Sequence, residues 1–135
     1  DTLDGILSVC HTFGKAKQAR YFSNYASIQK IHGESVMKKW TASAHDPKQK
    51  TRVQQLIVDN PDGRQFAENL TGSKTWQWRF LDKKISPSLD FAIVDHTVAF
   101  TSFQPLFIVV VHSQELAQTL AYFFDTVWEQ SKHHT

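Results

Sequence analysis

The chain has 135 residues, of which 41% are hydrophobic and 13% aromatic, enough for one domain with a sizeable core. Charged residues make up 21%, and the low counts of 5 Gly and 4 Pro exclude a disordered or collagen-like chain. The single Cys excludes a disulfide scaffold, and the longest apolar run, Leu106–Val111, is far shorter than the roughly 20 residues of a membrane-spanning helix. We therefore expect one domain over residues 1–135 without a membrane span. Because the first residue is Asp1, we expect the natural start to be missing, through removal of either a signal peptide or a neighbouring domain. We expect a fragment of a larger protein that is located in the cytoplasm.

The formal net charge of +2 hides an uneven distribution of charge along the chain. Residues 1–52 hold nine basic and four acidic side chains, whereas residues 53–135 hold six and nine. A basic half of this kind suits a phosphate-rich partner, and a solvated helix surface is the plainer interpretation. No RNP-type motif, zinc-finger spacing or Arg-rich arm accompanies it. Its basic members are Lys15, Lys17, Arg20, Lys30, Lys38, Lys39, Lys48, Lys50 and Arg52.

The first part of the chain alternates between helical and strand-like patterns. Apolar residues at positions 3, 6, 7 and 10 form one stripe of a helix that ends near Gly14. The short aromatic segment Ala19–Tyr25 predicts a strand, and the apolar spacing from residue 28 to about residue 44 predicts a second helix. Asp46-Pro47 ends that helix, because the residue before a proline disfavours helical backbone.

The middle of the chain adds two strands and a short helix. The apolar run Val53–Asp59 predicts a strand covered on both faces, and Asn60–Gly63 is a strong turn signal. Arg64–Leu70 predicts a short helix. Trp76–Phe80 alternates with a period of two, which predicts a strand with its three aromatic rings on one face. We expect that face to be core, while a stacking platform for bases or sugars is the alternative.

The last part of the chain carries three strands and the clearest helix. Phe91–Asp95 and Val98–Phe103 predict a hairpin, and Leu106–Val111 predicts a third strand. Ser113 caps a final helix with an apolar stripe from residue 116 to residue 128. Helices that alternate with strands, followed by three successive strands, predict an α/β fold with a mixed central sheet flanked by helices.

The reactive side chains form no recognisable catalytic or metal-binding set. Cys10 and His11 are adjacent, and neighbours on a helix point about 100° apart, so they do not face each other. The seven His form no HExxH motif, and His133-His134 is expected to be a flexible end rather than a ligand pair. No glycine-rich phosphate loop is present. These patterns predict no metal and no cofactor.

One segment carries a family resemblance. Ser88–Asp95, followed by Val98–Ser102, resembles the second half of a phospholipase D-type repeat. That family carries a His-x-Lys-x4-Asp motif entering a strand, then a short turn, a second strand and a Gly-Ser pair. The ending Ala121–Glu129 resembles the closing helix of phospholipase D-like domains at the end of some prokaryotic transcription regulators. The resemblance implies a phospholipase D-like half.

The departures from the motif decide the expected chemistry. The family's nucleophilic His falls on Ser88 and its phosphate-holding Lys falls on Asp90, while the Asp is kept as Asp95 and the Gly-Ser pair becomes Thr101-Ser102. Ser88 has no adjacent base, and Asp90 would repel a phosphate. We therefore predict that the chain has no catalytic residue and is not an enzyme. Asp95 also has a simpler role available, since an Asp at a strand end readily closes a turn.

The resemblance implies a non-catalytic effector-sensing or dimerisation domain of a regulatory protein. In a homodimer, Ser88, Asp90, Asp95 and Ser102 of both chains would line a shared ligand-binding cleft, while a monomer leaves them facing solvent. Two Asp90 side chains would repel each other unless a cation, a proton or a polar effector lay between them. Nucleic acid would be bound through a flanking domain.

Two alternatives to this interpretation remain open. One is a nucleic-acid- or phosphoinositide-binding module that uses the basic N-terminal half. The other is a degenerate phosphodiesterase-like hydrolase.

Overall fold

The structure, a computed structural model, describes residues 16–82, 84, 85, 87, 89–103 and 105–133. The helix predicted before Gly14 and the tail residue His134 lie outside the described residues. Within them, a seven-stranded sheet has the order β6-β5-β4-β1-β2-β3-β7. The strands are β1 (Gln18–Ser23), β2 (Arg52–Ile57), β3 (Trp76–Phe80), β4 (Leu89–Val94), β5 (Thr97–Phe103), β6 (Leu106–His112) and β7 (Lys132–His133).

The sheet is mixed, as the order of predicted elements indicates. β1, β2 and β3 are parallel to one another, and β4, β5, β6 and β7 each pair antiparallel with their neighbours. β1, β2 and β3 therefore end together at what we call the carboxyl end of the sheet, and they begin at its amino end. The predicted α/β fold with a mixed sheet flanked by helices is confirmed.

Within the described ranges, three helices flank the sheet, and each begins at a polar cap. The helices are α1 (Tyr25–His45), α2 (Pro61–Asn69) and α3 (Gln114–Gln130). The side chains of Asn24, Asn60 and Ser113 accept the backbone N–H groups that these helices leave unpaired at their starts. The predicted turn at Asn60–Gly63 is therefore wrong, because Asn60 caps α2 and the proline that follows is its first residue.

The helices divide between the two faces of the sheet. α1 and α2 cover one face, the α1/α2 face, where Tyr25 and Phe66 pack against the strands. α3 covers the opposite face, the α3 face, with Phe124 and Trp128 buried. Trp76, Trp78 and Phe80 are all buried on the α1/α2 face, with exposures of 6%, 7% and 7%. The core interpretation of these rings is confirmed, and a stacking platform is excluded.

α3 crosses its face diagonally. At the amino end, the Ser113 backbone N–H donates to the carbonyl of His96, in the turn between β4 and β5. Towards the carboxyl end, Arg79 of β3 donates to the carbonyl of Trp128 at 2.6 Å. The diagonal leaves two opposite corners of the α3 face open. One corner is at the amino end of the sheet, over β1–β3. The other is at the carboxyl end of the sheet, over β4–β6, where β4 and β6 begin and β5 ends.

Candidate functional site

Asp90 lies at the carboxyl end of the sheet, beside the start of α1. It is the second residue of β4, and its Oδ1 accepts the backbone N–H of Asn24 at 3.0 Å. Asn24 is the cap of α1, so the Asp90 carboxyl group sits at the N-terminus of a 21-residue helix. A helix N-terminus attracts anions through its unpaired N–H groups and its dipole. The Asp90 carboxyl group therefore occupies the place at the helix N-terminus where a bound anion would lie.

The environment of Asp90 favours its protonated form. Burial raises the pKa of Asp90 to about 8, although the hydrogen bond from Asn24 acts in the opposite direction. At neutral pH this side chain is largely an uncharged carboxylic acid with a proton to donate. The family's Lys would place a permanent positive charge at the same position of the motif, so the two groups differ in both charge and hydrogen-bonding role.

The starts of α1 and α2 are linked at this end of the sheet. The Asn60 Nδ2 donates to the Asn24 Oδ1 at 3.1 Å, so the cap of α2 is bonded to the cap of α1. The Asn60 Oδ1 in turn accepts the backbone N–H of Gly63 at 2.8 Å. Two helix N-termini therefore converge beside Asp90 at the carboxyl ends of parallel strands, where open α/β sheets usually place ligands.

A buried polar network lies beneath this convergence. Gln55 of β2 donates to the Ser23 Oγ at 3.0 Å and to the Tyr25 hydroxyl, and its Oε1 accepts the Trp76 Nε1–H at 2.9 Å. Sequence analysis missed this network. The signal was the pair Gln54-Gln55 between Val53 and Leu56, because one member of such a pair on a strand points into the core, where a buried amide needs partners.

The structure separates the other predicted site residues from Asp90. Asp95 lies in the β4–β5 turn at the amino end, about 17 Å from Asp90 along the strand. The side chain of Ser102, in β5, is buried and points to the α3 face, whereas Asp90 points to the α1/α2 face. Ser88 lies outside the described residues. Within one chain, Asp90, Asp95 and Ser102 therefore do not form one cluster, and a cleft shared by two chains stays a prediction.

Asp95 closes a turn, as its simpler interpretation predicts. It has a φ of 50°, a left-handed conformation that Asp tolerates better than most residues. Its two carboxylate oxygens accept the backbone N–H groups of Lys17 and Gln18, both at 3.3 Å. These bonds fasten the turn to the start of β1. Whether Asp95 also binds a ligand stays a prediction.

The basic N-terminal half does not form one face. Arg20 is bonded to Asp125 of α3 at 3.1 Å, whereas Lys38 and Lys39 are exposed on α1, on the other side of the sheet. Among the described residues, no group of three or more His, Cys, Asp or Glu side chains is placed to hold a metal ion. No helix in the described ranges is long and apolar enough to cross a membrane.

Solved structures of low sequence identity share this fold. TrmBL2, an archaeal chromatin protein with a novel mode of DNA binding, matches with a TM-score of 0.65 and 14% identity over 98% of this chain and 52% of that chain. NucT from Helicobacter pylori matches with a TM-score of 0.62 and 12% identity over 98% of this chain and 92% of that chain. The fold is therefore phospholipase D-like, as the motif resemblance implies.

The similarity to these proteins is confined to the fold. The chain spans about half the length of the TrmBL2 chain. No family model matches the sequence, and no curated protein matches it. Identities of this size show a common fold and carry no residue roles across.

Proposed function

We propose that this chain is a non-catalytic, phospholipase D-like dimerisation domain of a larger, nucleic-acid-associated regulatory protein. The observation that carries the proposal is β6, which has the composition of a central strand but lies at the edge of the sheet formed by the described residues. The regulatory role is supported by the similarity in fold to a DNA-binding chromatin protein, whose chain is about twice as long.

β6 is apolar on both of its faces. Its first six residues contain no charge, and Phe107, Val109 and Val110 are 43%, 46% and 39% exposed. Near-continuous apolar runs are typical of strands covered on both faces and paired on both sides. Edge strands are usually protected by charges, prolines or bulges, because a bare edge pairs with other chains. Unprotected β6 is therefore suited to a partner strand.

The open corner at the carboxyl end of β4–β6 extends this apolar surface. Leu89 and Phe107 flank Ser102 across the three strands on the α3 face, and Leu89 is 41% exposed. Phe123 of α3 is 60% exposed. It lies on the same side of the helix as Leu116 and Leu120, and the opposite side carries Asp125, which pairs with Arg20. The side with Phe123 faces β4–β6, so Phe123 borders the same corner.

A second copy of the chain is the partner that fits this surface. Antiparallel pairing of β6 with the β6 of a second copy is symmetric about a twofold axis, so one patch serves both chains. The uncharged strands do not repel each other. A stable dimer buries about 800 Å² per partner. Phe107 and Phe123 each offer on the order of 100 Å², and the seven-residue strand edge and its aliphatic neighbours add to this area.

Sedimentation of two matched variants tests the dimer. Val109→Glu places a charge in the centre of the β6 surface, and Thr119→Glu places one at an exposed position of α3 on the side turned away from the sheet. We expect the wild type and Thr119→Glu to sediment as dimers and Val109→Glu as a folded monomer. A wild-type monomer at high concentration, or a dimeric Val109→Glu, would overturn the proposal.

The absence of catalysis rests on Asp90. An acidic side chain bonded to the Asn24 N–H stands where the family's motif has its phosphate-holding Lys, so a phosphodiester finds no positive charge at this position whether the carboxyl group is charged or protonated. We expect no hydrolysis of bis(p-nitrophenyl) phosphate or of DNA above the rate in buffer. Turnover that is abolished by Ser88→Ala would show that the chain is a phosphodiesterase.

Effector sensing is a second candidate function, and the protonated Asp90 at two convergent helix N-termini favours it. A hydroxyl-rich molecule would accept a hydrogen bond from the protonated Asp90 carboxyl group, and a small cation would take the place of its proton. Thermal shift measurements with spermidine and with simple sugars test this idea. Stabilisation of the wild type that Asp90→Asn abolishes would support sensing at this site, and stabilisation that survives the change would place the binding elsewhere.

A further inference from the structure

The open corner at the amino end of β1–β3 is polar and basic, in contrast to the apolar corner diagonally opposite. It contains a cavity of about 380 Å³, within the usual size of small-molecule pockets. The side chains of three glutamines and two cations line it on the α3 face. The lining residues are Gln18, Arg52, Val53, Gln54, Lys74, Thr75 and Gln77.

Four cations stand at this end of the sheet without a described partner, and two of them, Arg52 and Lys74, line the cavity. Lys17, Lys50, Arg52 and Lys74 are all exposed and stand at or just before the starts of β1, β2 and β3. None of the four forms an ion pair among the described residues. Since neighbouring strands lie about 4.8 Å apart, the three strand starts spread this charge over about 10 Å. Such a row suits successive phosphates rather than a single anion.

No acidic residue is among the described residues that line the cavity. Asp95, in the turn at the same end of the sheet, directs both carboxylate oxygens at the backbone N–H groups of Lys17 and Gln18. Arg20 has its own partner in Asp125 and is not part of the row. The positive charge of Arg52 and Lys74 is therefore available to a ligand in the cavity.

The amides indicate which polyanion fits. Gln18 donates to Gln54 at 3.3 Å, which leaves the rest of both amides for a ligand, and Gln77 lies opposite Gln54 on β3. Amide groups donate and accept hydrogen bonds, as the edges of unpaired bases do. The one apolar residue of the lining, Val53, is buried, so the cavity has no apolar group to insert into a membrane.

We infer that the amino end of the sheet is a binding site for single-stranded nucleic acid. Arg52 and Lys74 hold the phosphates, and the three glutamines contact a base or sugar in the cavity, which is too small to admit a duplex. This site lies at the opposite end of the sheet from Asp90, and it does not depend on dimerisation through β6. It goes beyond the proposed function, because it assigns nucleic-acid binding to this chain itself.

Fluorescence anisotropy with a labelled oligodeoxynucleotide tests the inference, using a matched pair of double variants. Arg52→Gln with Lys74→Gln removes two charges from the cavity, and Lys38→Gln with Lys39→Gln removes two exposed charges from α1, on the other face of the sheet. We expect the first pair to weaken binding at least tenfold and to reduce the slope of log affinity against log salt by about 1.4, since each contact to a single strand contributes about 0.7. The second pair should change binding less than threefold.

Three results would overturn the inference. One is the absence of oligonucleotide binding by the wild type at low salt. Another is an equal loss from both double variants, which would indicate attraction by net charge alone. A third is binding to vesicles containing phosphatidylinositol phosphates without binding to the oligonucleotide, which would make the cavity a lipid headgroup site. None of these results bears on the β6 dimer, which sedimentation measures separately.

Discussion

The backbone N–H of Asn24 and the Oδ1 of Asp90 form a hydrogen bond of 3.0 Å that ties the start of α1 to the start of β4. The bond joins the antiparallel part of the sheet to the first parallel strand at the end where two helices begin. It also brings an acidic side chain into a buried environment, and this has a consequence for stability that depends on pH.

The first prediction is that Asp90 makes the folded chain less stable as pH rises, and that Asp90→Asn abolishes this effect. The pKa of Asp90 is raised from its ordinary 3.8 to about 8 in the folded chain. Between these values the folded state holds a proton that the unfolded state has released, so the free energy of unfolding falls as pH rises. An Asn accepts the same Asn24 N–H and never ionises. We expect the variant to match the wild type near pH 4 and to be more stable near pH 8.

Urea denaturation at both pH values measures this effect. Because other groups also titrate in this range, the informative quantity is the difference between variant and wild type. Glu129→Gln, a carboxyl-to-amide change at an exposed position on α3, is the control and should show a much smaller dependence on pH. An Asp90→Asn protein that is less stable than the wild type at pH 8 would mean that the charged form of Asp90 supports the fold.

The second prediction concerns Trp128 at the end of α3. It is buried as its apolar stripe predicts, its ring stacks on Phe124 at 6.0 Å, and the guanidinium of Arg79 lies 4.5 Å from the ring centroid. Trp128→Ala should cost about 3–5 kcal/mol of unfolding free energy. Tyr122→Ala, at an exposed ring of the same helix, should cost under about 1 kcal/mol. Similar losses for the two variants in chemical denaturation would show that α3 is peripheral.

Local patterns were sufficient to predict most of the sheet and the last helix. The alternation of Trp76, Trp78 and Phe80 predicts β3 with the bounds that the structure has, because one face of that strand is fully buried. The errors lie at helix starts. Tyr25 begins α1 rather than ending a strand, and Asn60 caps α2 rather than opening a turn. Asn, Pro and Gly serve both turns and helix N-termini, so their presence alone does not distinguish the two.

The candidate site was harder to predict than the fold. The spacing from Asp90 to Asp95 within one strand places them at opposite ends of the sheet, although the motif presents them as one unit. The link between Asn24 and Asn60, and the partners of Gln55, depend on elements that meet only in the folded chain. A single sequence shows that a buried amide needs partners without showing which ones it finds.

The third prediction is that Gln55→Met destabilises the chain strongly. The change leaves the buried Trp76 Nε1–H without its partner, and it removes one of the two hydrogen bonds of the buried Tyr25 hydroxyl, which also bonds to Ser23. An unsatisfied buried group costs about 1–3 kcal/mol and a lost hydrogen bond about 1 kcal/mol, so we expect a total loss of about 2–4 kcal/mol in chemical denaturation. Gln54→Met, the neighbouring position on the opposite face, should cost under about 1 kcal/mol. Equal losses would show that the network contributes little to stability.

The fourth prediction is that Gly63→Ala destabilises α2, although alanine is the better helix former. In an open helix position this change gains about 1 kcal/mol. At Gly63, however, a Cβ would lie 2.5 Å from the carbonyl oxygen of Val58 and 2.8 Å from the Cγ2 of Ile57. The Val58 carbonyl accepts the Asn60 N–H at 3.0 Å, so it cannot move aside without disturbing the cap of α2.

Overpacking of this kind costs about 1–3 kcal/mol, which outweighs the helix propensity and reverses the sign of the change. Thermal and urea denaturation of Gly63→Ala measure it, and Gln65→Ala on the exposed side of the same helix is the control, expected within about 0.5 kcal/mol of the wild type. Because Gly63 also donates to the Asn60 Oδ1, a displaced α2 start would loosen the bond from Asn60 to Asn24 beside Asp90. A Gly63→Ala protein more stable than the wild type would mean that this start has room to adjust, and that the two capped helices are not held in one arrangement.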